Sequence, residues 1–141
     1  MNIASFIQPK AEVSYLRDDM SLALALKALR ESGYTAIPVI DREDRYVGVV
    51  SEGDFLWNIL GNPEHHEDTA LHKLEFLTVR DIIQGGKIKA VFIDTNMEQL
   101  LEQAKQQNFV PVVDDRSVFI GIVTRRDIIT YFMKHKSIMQ K

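Results

Sequence analysis

The stretch from Gly121 to Asp127 holds residues whose types and spacing suit anion binding. Thr124 follows an apolar, strand-like run, and Arg125, Arg126 and Asp127 come directly after it, where we expect a helix to begin. A helix N-terminus offers free backbone N–H groups and the positive end of the helix dipole, and arginine forks bind phosphate oxygens. The same residues also fit an ordinary helix start, with Thr124 and Asp127 as capping side chains and two solvated arginines.

The same hydroxyl-x-x-carboxylate spacing occurs at Ser51 and Asp54, after another glycine-containing apolar run. Helix capping and a ligand contact both fit this pair. Glu52 and Gly53 stand where the later stretch has two arginines, so positive charge belongs to the later stretch alone. Arginines in a first helical turn oppose the helix dipole, which favours an anion or an acidic partner there.

Adjacent side chains of a helix point in different directions. We therefore expect Arg126, rather than Arg125, to reach such a ligand. Tyr34 could stack on a base, but a core tyrosine with one hydrogen bond fits equally well.

The sequence contains no set of residues that indicates catalysis. Cysteine is absent, and neither a Ser-His-Asp arrangement nor a glycine-rich phosphate loop is visible. His65, His66 and His72 lie near two acidic residues, but they lack the regular His-x-x-x-His pair of a helical metal site. We predict no catalytic residue, no metal site and no cofactor, and therefore a protein that is not an enzyme.

The elements that would position these residues follow from the apolar spacing. Helical spacing begins at Leu22 and ends at Gly33, which suits a helix C-terminus. Apolar runs at 36–40 and 46–50 predict two strands. Val13 to Leu16 predict a short strand before the first helix, and Ser51 begins a second helix after the two later strands. The order is therefore strand, helix, strand, strand, helix.

This unit occurs twice. Pro38-Val39-Ile40-Asp41 returns as Pro111-Val112-Val113-Asp114, and Gly48-Val49-Val50-Ser51 as Gly121-Ile122-Val123-Thr124, both 73 residues later. We interpret this as an internal duplication. It predicts a first motif with its lead-in at 1–63, a connector at 64–77 and a second motif at 78–141, the latter opened by a short helix with Thr78 as N-cap and Asp81 three positions on.

Each motif alone is too small to bury a large core. We therefore predict an α/β (α+β) fold in which two motifs of β-α-β-β-α type pack sheet to sheet with pseudo-twofold symmetry. Equivalent strand-to-helix turns would then lie in the cleft between the motifs.

The composition argues against a nucleic-acid-binding protein and against a membrane protein. The chain has 141 residues, 45% of them hydrophobic, and a net charge of −3. A weak negative charge argues against nucleic-acid binding. The sequence shows neither a membrane span nor a signal peptide, so the expected location is cytoplasmic, without membrane association.

The duplicated pattern resembles a tandem CBS-domain pair, or Bateman module. Both copies carry Pro-apolar-apolar-Asp and Gly-apolar-apolar-Ser/Thr-x-x-Asp at equal internal spacing. The sequences Gly33-Tyr34-Thr35-Ala36-Ile37-Pro38 and Thr124-Arg125-Arg126 are similar to those of stand-alone CBS proteins of Gram-positive bacteria that bind cyclic di-AMP.

This resemblance implies a nucleotide site between the motifs, in which the hydroxyl residue meets phosphate and the aspartate meets ribose. The implied nucleotide-binding residues are Val13, Ser14, Tyr34, Thr35, Ala36, Ile37, Pro38, Thr124, Arg125, Arg126 and Asp127. A second site at equivalent positions would use Ser51, Asp54, Val110 and Pro111.

The implied function is a non-catalytic regulatory sensor of an adenine nucleotide, with cyclic di-AMP as the expected ligand. The alternatives are a module that binds AMP, ADP or ATP, and a ligand-free scaffold that binds an acidic partner. The resemblance also implies a homodimer formed through helices, for which Trp57 is a candidate contact. Because no enzyme or transporter domain is visible in the sequence, the regulated enzyme or transporter would be a separate chain.

Overall fold

A computed structural model of the chain describes residues 3–60, 67–83 and 88–139. These residues form seven strands, six α-helices and two short 3-10 turns at Ile3–Ser5 and Lys10–Glu12. The strands are β1 (Gln8–Pro9), β2 (Leu16–Arg17), β3 (Ala36–Ile40), β4 (Tyr46–Ser51), β5 (Val91–Phe92), β6 (Phe109–Val113) and β7 (Phe119–Thr124). The helices are α1 (Leu22–Ser32), α2 (Glu52–Leu60), α3 (Glu67–Phe76), α4 (Val79–Ile82), α5 (Met97–Ala104) and α6 (Arg125–Met139).

The chain divides into two compact units, and each contains one copy of the repeat. One is Ser14–Lys87, called here the 14–87 unit; the other joins Met1–Val13 to Ile88–Lys141 and is called the 88–141 unit. This division differs from the sequence boundaries at 63 and 78, because the segment that leads into each copy, Met1–Val13 for the first and 78–83 for the second, belongs to the unit of the other copy. These two segments are called the lead-ins. β1 pairs antiparallel with β7, and the N–H groups of Leu22 and Val79 donate to the carbonyls of Leu77 and Met20 at 2.9 and 3.0 Å.

In the 14–87 unit, a three-stranded sheet has the order β2-β3-β4. β2 runs parallel to β3, and β3 pairs antiparallel with β4. α1 begins at the N-cap Ser21, whose side chain accepts from the Leu24 N–H, and it ends at Gly33. Gly33 has φ 74°, the left-handed conformation that glycine adopts most easily, so the predicted helix end is confirmed.

The 88–141 unit has a four-stranded sheet of order β1-β7-β6-β5. β5 is parallel to β6, and β6 is antiparallel to β7, which repeats the arrangement of β2, β3 and β4. The core of the unit combines side chains of the 3-10 turn, the sheet, α5 and α6, among them Ile3, Leu100, Val110, Val123 and Ile128. The mixed α/β motif predicted for each copy is confirmed, whereas packing of one sheet on the other stays a prediction.

The segment expected to be a connector contains a helix, α3, which packs against α1 and α2. Ala70 is buried on it, and Leu74 is partly buried against the core of the 14–87 unit. The capped short helix that follows is confirmed as α4, since the Thr78 N–H donates to Asp81 Oδ2 at 2.8 Å. Within the described residues, no helix is long and apolar enough to cross a membrane.

Candidate functional site

Thr124 and Asp127 cap the start of α6. The Thr124 N–H donates to Asp127 Oδ2 at 2.9 Å, and the Asp127 N–H donates to Thr124 Oγ1 at 3.1 Å. The lead-in adds a third contact, because Gln8 Nε2 donates to Asp127 Oδ2 at 3.0 Å. These bonds satisfy two N–H groups of the helix start and fix the orientation of the carboxylate. Both side chains remain half-buried, at the position where the sequence predicted a phosphate and ribose site.

Arg125 binds the end of another helix. Its Nε donates to the Ala104 carbonyl at 2.8 Å, and its two terminal nitrogens donate to the Lys105 carbonyl at 3.2 Å and to Asn108 Oδ1 at 3.1 Å. The last carbonyls of α5 have no partner within that helix, and a cation near a helix C-terminus is favourable. All three nitrogens of the guanidinium are thus in use, and Arg125 joins α5 to α6.

Arg126 has a different environment. Its side chain is exposed in the first turn of α6, and it has no hydrogen-bond or ion-pair partner among the side chains that the structure describes. The helix dipole disfavours a cation at this position, and no described carboxylate compensates the charge. Arg126 is therefore free to bind an anion, and the preference for Arg126 over Arg125 as the ligand contact stays a prediction.

Ser51 and Asp54 repeat the capping arrangement at the start of α2. The Ser51 N–H donates to Asp54 Oδ2 at 2.8 Å, and the Asp54 N–H donates to Ser51 Oγ at 3.2 Å. The residue equivalent to Arg125 is Glu52, whose N–H donates to the Thr35 carbonyl at 3.0 Å. The capping interpretation holds in both copies, but the first copy has no cation beside its cap.

The predicted site residues at the turn before β3 differ in their exposure. Thr35 is exposed, Tyr34 and Ala36 are half-buried, and Ile37 and Pro38 are buried in the strand. The Tyr34 N–H donates to Ser32 Oγ at 3.0 Å, which fixes the backbone after the helix end. Tyr34 and Thr35 can contact a ligand with their side chains, whereas Ile37 and Pro38 act as core residues.

The remaining predicted residues are mostly buried. Val13 is 6% exposed and Val110 is fully buried. Pro111 is buried and Ser14 half-buried. The predicted site residues fall into two groups: Val13, Val110, Pro111 and the 124–127 turn in the 88–141 unit, and Ser14, the 34–38 turn, Ser51 and Asp54 in the 14–87 unit.

Two contacts of the site were missed by the sequence analysis. The Gln8–Asp127 bond joins residues 119 positions apart, and Asn108 binds Arg125 across 17 positions. Neither distance leaves a local pattern in the sequence. His65 and His66, considered as metal ligands, lie outside the described residues. Within 3–60, 67–83 and 88–139, no group of three or more His, Asp or Glu side chains could hold a metal ion.

The 14–87 unit also contains a cavity of about 700 Å³ between α1, α2 and α3. Tyr34 and Thr35 lie at its wall together with Arg30, Glu52 and Gly53. The rest of the described wall is apolar and comes from all three helices. The cavity leaves no signal in the sequence, because it depends on α3, which lies in the segment predicted as a connector.

Comparison with known proteins identifies the repeated motif. The family model of the CBS domain matches residues 5–61 and 79–134, which is most of the chain. Cyclic di-AMP receptor B of Bacillus subtilis is 29% identical over 133 residues, covering 94% of this chain and 87% of the receptor.

Solved structures agree with this match. The Listeria monocytogenes CbpB protein in complex with cyclic di-AMP superposes with a TM-score of 0.81 at 28% identity, covering 96% of this chain and 98% of CbpB. CBSX2 in complex with AMP gives a TM-score of 0.71 at 28% identity, with the same coverage. The chain therefore belongs to the CBS-domain family and contains two CBS motifs.

Proposed function

We propose that this protein is a regulatory sensor without catalytic activity that binds cyclic di-AMP between its two CBS motifs. The proposal rests mainly on the environment of Arg126. This arginine is exposed at a helix start and has no partner among the described side chains. An exposed guanidinium in this position suits a phosphate, which provides both negative charge and acceptor oxygens. The similarity to the cyclic di-AMP receptor of Bacillus subtilis, and to CbpB solved in complex with cyclic di-AMP, supports this choice of ligand.

In this proposal the site residues have specific roles, with the exception of Arg125, whose guanidinium binds the end of α5 and Asn108. Arg126 binds a phosphate, and the Thr124 hydroxyl contacts the same phosphate. Asp127 accepts hydrogen bonds from ribose hydroxyls. Tyr34 and Thr35 border the adenine, and Ala36, Ile37 and Pro38, with Val13 and Ser14, shape its surroundings. Ser51, Asp54, Val110 and Pro111 form a second and weaker site, because no arginine stands beside Ser51.

AMP is the second candidate ligand, since CBSX2 is solved with AMP at a similar level of identity. ADP and ATP belong to the same class. A ligand can shift the protein between two states only through different affinities for them. We propose that the ligand alters a surface recognised by a separate enzyme or transporter, and that the protein acts as a homodimer in the cytoplasm.

Calorimetric titration of the purified protein with cyclic di-AMP, AMP and ATP tests the proposal. We expect cyclic di-AMP to bind most tightly, and Arg126→Ala to weaken it by about 1.5–3 kcal/mol, the range for a hydrogen bond to a charged group. Arg116→Ala is the matched control, because Arg116 is an exposed arginine of the same unit in the β6–β7 turn. Absence of binding by all three nucleotides would favour the scaffold, and equal affinity of the Arg126 variant and the wild type would contradict the arginine's role.

A further inference from the structure

The cavity between α1, α2 and α3 has an apolar body and a polar end. Aliphatic and aromatic side chains of the three helices form the body: Leu26, Leu29, Phe55, Leu56, Ile59 and Leu74. The polar end comes from Arg30, Tyr34 and Thr35, where α1 ends and β3 begins. Its volume of about 700 Å³ lies in the range of small-molecule sites.

The two ends lie apart along α2. Gly53 borders the polar end, whereas Ile59 lies in the apolar body almost two turns later. At 1.5 Å per residue, these positions are separated by about 9 Å. An occupant that satisfies both ends therefore has a polar head and an apolar chain of that length.

The side chains at the polar end of the cavity determine which head group the ligand can have. Three side chains at the polar end can donate hydrogen bonds: the Arg30 guanidinium and the hydroxyls of Tyr34 and Thr35. Arg30 has no partner among the described side chains. Glu52 is the one acidic residue in the described lining, and it is exposed to solvent. Arg30 forms no ion pair with Glu52, so the N–H groups of its guanidinium remain available to an anionic head group.

The apolar body also lacks full cover. Leu56 lines the cavity and yet is 54% exposed, which leaves apolar area that an alkyl chain would remove from water. We propose that this cavity binds a medium-chain aliphatic carboxylate, with its head at Arg30 and its chain along α2. The site lies in the 14–87 unit and requires no residue of the 124–127 turn, although it shares Tyr34 and Thr35 with the proposed adenine site.

The test is titration of the full-length protein with decanoate, followed by calorimetry, with 1-decanol as the neutral comparison. Arg30→Gln should lower the affinity for decanoate about tenfold or more, because a hydrogen bond to a charged group is lost. Lys27→Gln is the matched control, because Lys27 is also an exposed cation of α1 but lines a neighbouring depression instead of this cavity. Glu52→Gln should leave decanoate affinity equal or higher.

Ala70→Leu provides a second variant, since Ala70 lies at the wall of the cavity and a larger side chain would fill it. It should abolish decanoate binding while leaving the titration with cyclic di-AMP unchanged, and Arg126→Ala should give the reverse. Failure of cyclic di-AMP binding alone would therefore leave the carboxylate site intact. The proposal is wrong if the wild type does not bind decanoate, if 1-decanol binds equally well, or if Arg30→Gln keeps full affinity.

Discussion

The two neighbouring arginines in the first turn of α6 have the same charge but lie in different environments. The guanidinium of Arg125 donates three hydrogen bonds to the end of α5 and to Asn108, whereas Arg126 has no partner among the described side chains. Pairing of the first arginine with helix carbonyls offsets its unfavourable position at a helix start. The second arginine keeps that cost, and a bound anion would remove it.

Arg125 should therefore contribute to the stability of the protein, whereas Arg126 should contribute to ligand binding. We expect Arg125→Ala to lower the free energy of unfolding by about 1–2 kcal/mol, because three hydrogen bonds to a charged but exposed group are lost. Arg126→Ala should leave the free energy of unfolding unchanged within about 0.5 kcal/mol, the usual range for surface substitutions. Urea denaturation of both variants checks this. Equal stability of Arg125→Ala and the wild type would show that the contacts with α5 carry no net energy.

Asp41 makes stability depend on pH at the β3–β4 turn. Burial alone would raise the pKa of Asp41, but hydrogen bonds from the N–H groups of Arg45 and Glu43, together with the charge of Arg45, lower it below its usual value. A carboxylate with a lowered pKa in the folded state stabilises the protein above the pKa of the unfolded chain, and this contribution is lost as the pH falls through the folded-state pKa.

Asp41→Asn should thus cost about 1 kcal/mol at pH 7, since the amide cannot reproduce charge-assisted bonds, and the cost should shrink below about pH 4. Urea denaturation at both pH values measures the difference. Asp115→Asn is the control, because Asp115 is an exposed neighbour of the equivalent Asp114 in the other copy. A cost that stays constant between the two pH values would contradict the role assigned to the charge.

At the scale of elements, the same cap begins three helices. Ser51 and Asp54 at α2, Thr78 and Asp81 at α4, and Thr124 and Asp127 at α6 all use a backbone N–H to carboxylate bond of 2.8–2.9 Å. These caps were predictable because both partners lie within four residues. The Arg125 contacts were not, because their acceptors lie at the end of a different helix.

The segment 64–77, predicted as a connector, contains the helix α3, which was not predicted from the sequence. Its polar composition obscured Ala70 and Leu74, which share one helical face at a spacing of four residues. That face packs toward α1 and α2 and forms part of the cavity wall. The signal was present in the sequence, but it was too short to separate from a loop without knowledge of the surface that it covers.

Glycine substitutions test how closely the lead-in approaches the sheet. A Cβ at Gly121 would overlap the Gln8 carbonyl oxygen, so Gly121→Ala must displace β1. We expect a loss of about 2–4 kcal/mol in the free energy of unfolding, as for other overpacked sites. At Gly48 the nearest atom is Ile83 Cδ1 at 3.0 Å, a side-chain end that can move, and the loss should be smaller.

Gly53→Ala is the matched control for both variants. The nearest atom to its Cβ would be Ser51 Oγ at 3.6 Å, an ordinary contact. Alanine in a helix is more stable than glycine by about 0.5–1 kcal/mol, so this variant should gain stability. Thermal and urea denaturation of the three variants gives the ranking. Equal stability of Gly121→Ala and Gly53→Ala would exclude the close approach of β1.

At the scale of the whole molecule, the duplication was visible in the sequence but the exchange of lead-ins was not. Phe6-Ile7 and Ile82-Ile83 have similar apolar character, so either segment could serve either copy. Tertiary contacts decide the pairing: Ile83 lies against Gly48, and Ile7 and Gln8 lie against the equivalent Gly121. Each unit therefore consists of one copy of the repeat and the lead-in that precedes the other copy.

The exposed apolar face of α6 provides the last prediction, which concerns the proposed homodimer. Ile129, Phe132 and Met133 are each at least 45% exposed, and their spacing places them on one side of the helix. Covering two such side chains in a dimer contributes about 3 kcal/mol or more, which is at least a hundredfold in the dissociation constant of the dimer. The double variant Ile129→Asp, Met133→Asp should therefore give a monomer by light scattering at micromolar concentration. Thr130→Asp is the control, because it adds charge at an exposed position of the same helix and should remain dimeric. If the double variant also remains dimeric, this face of α6 is not the interface. Trp57→Asp would then test α2.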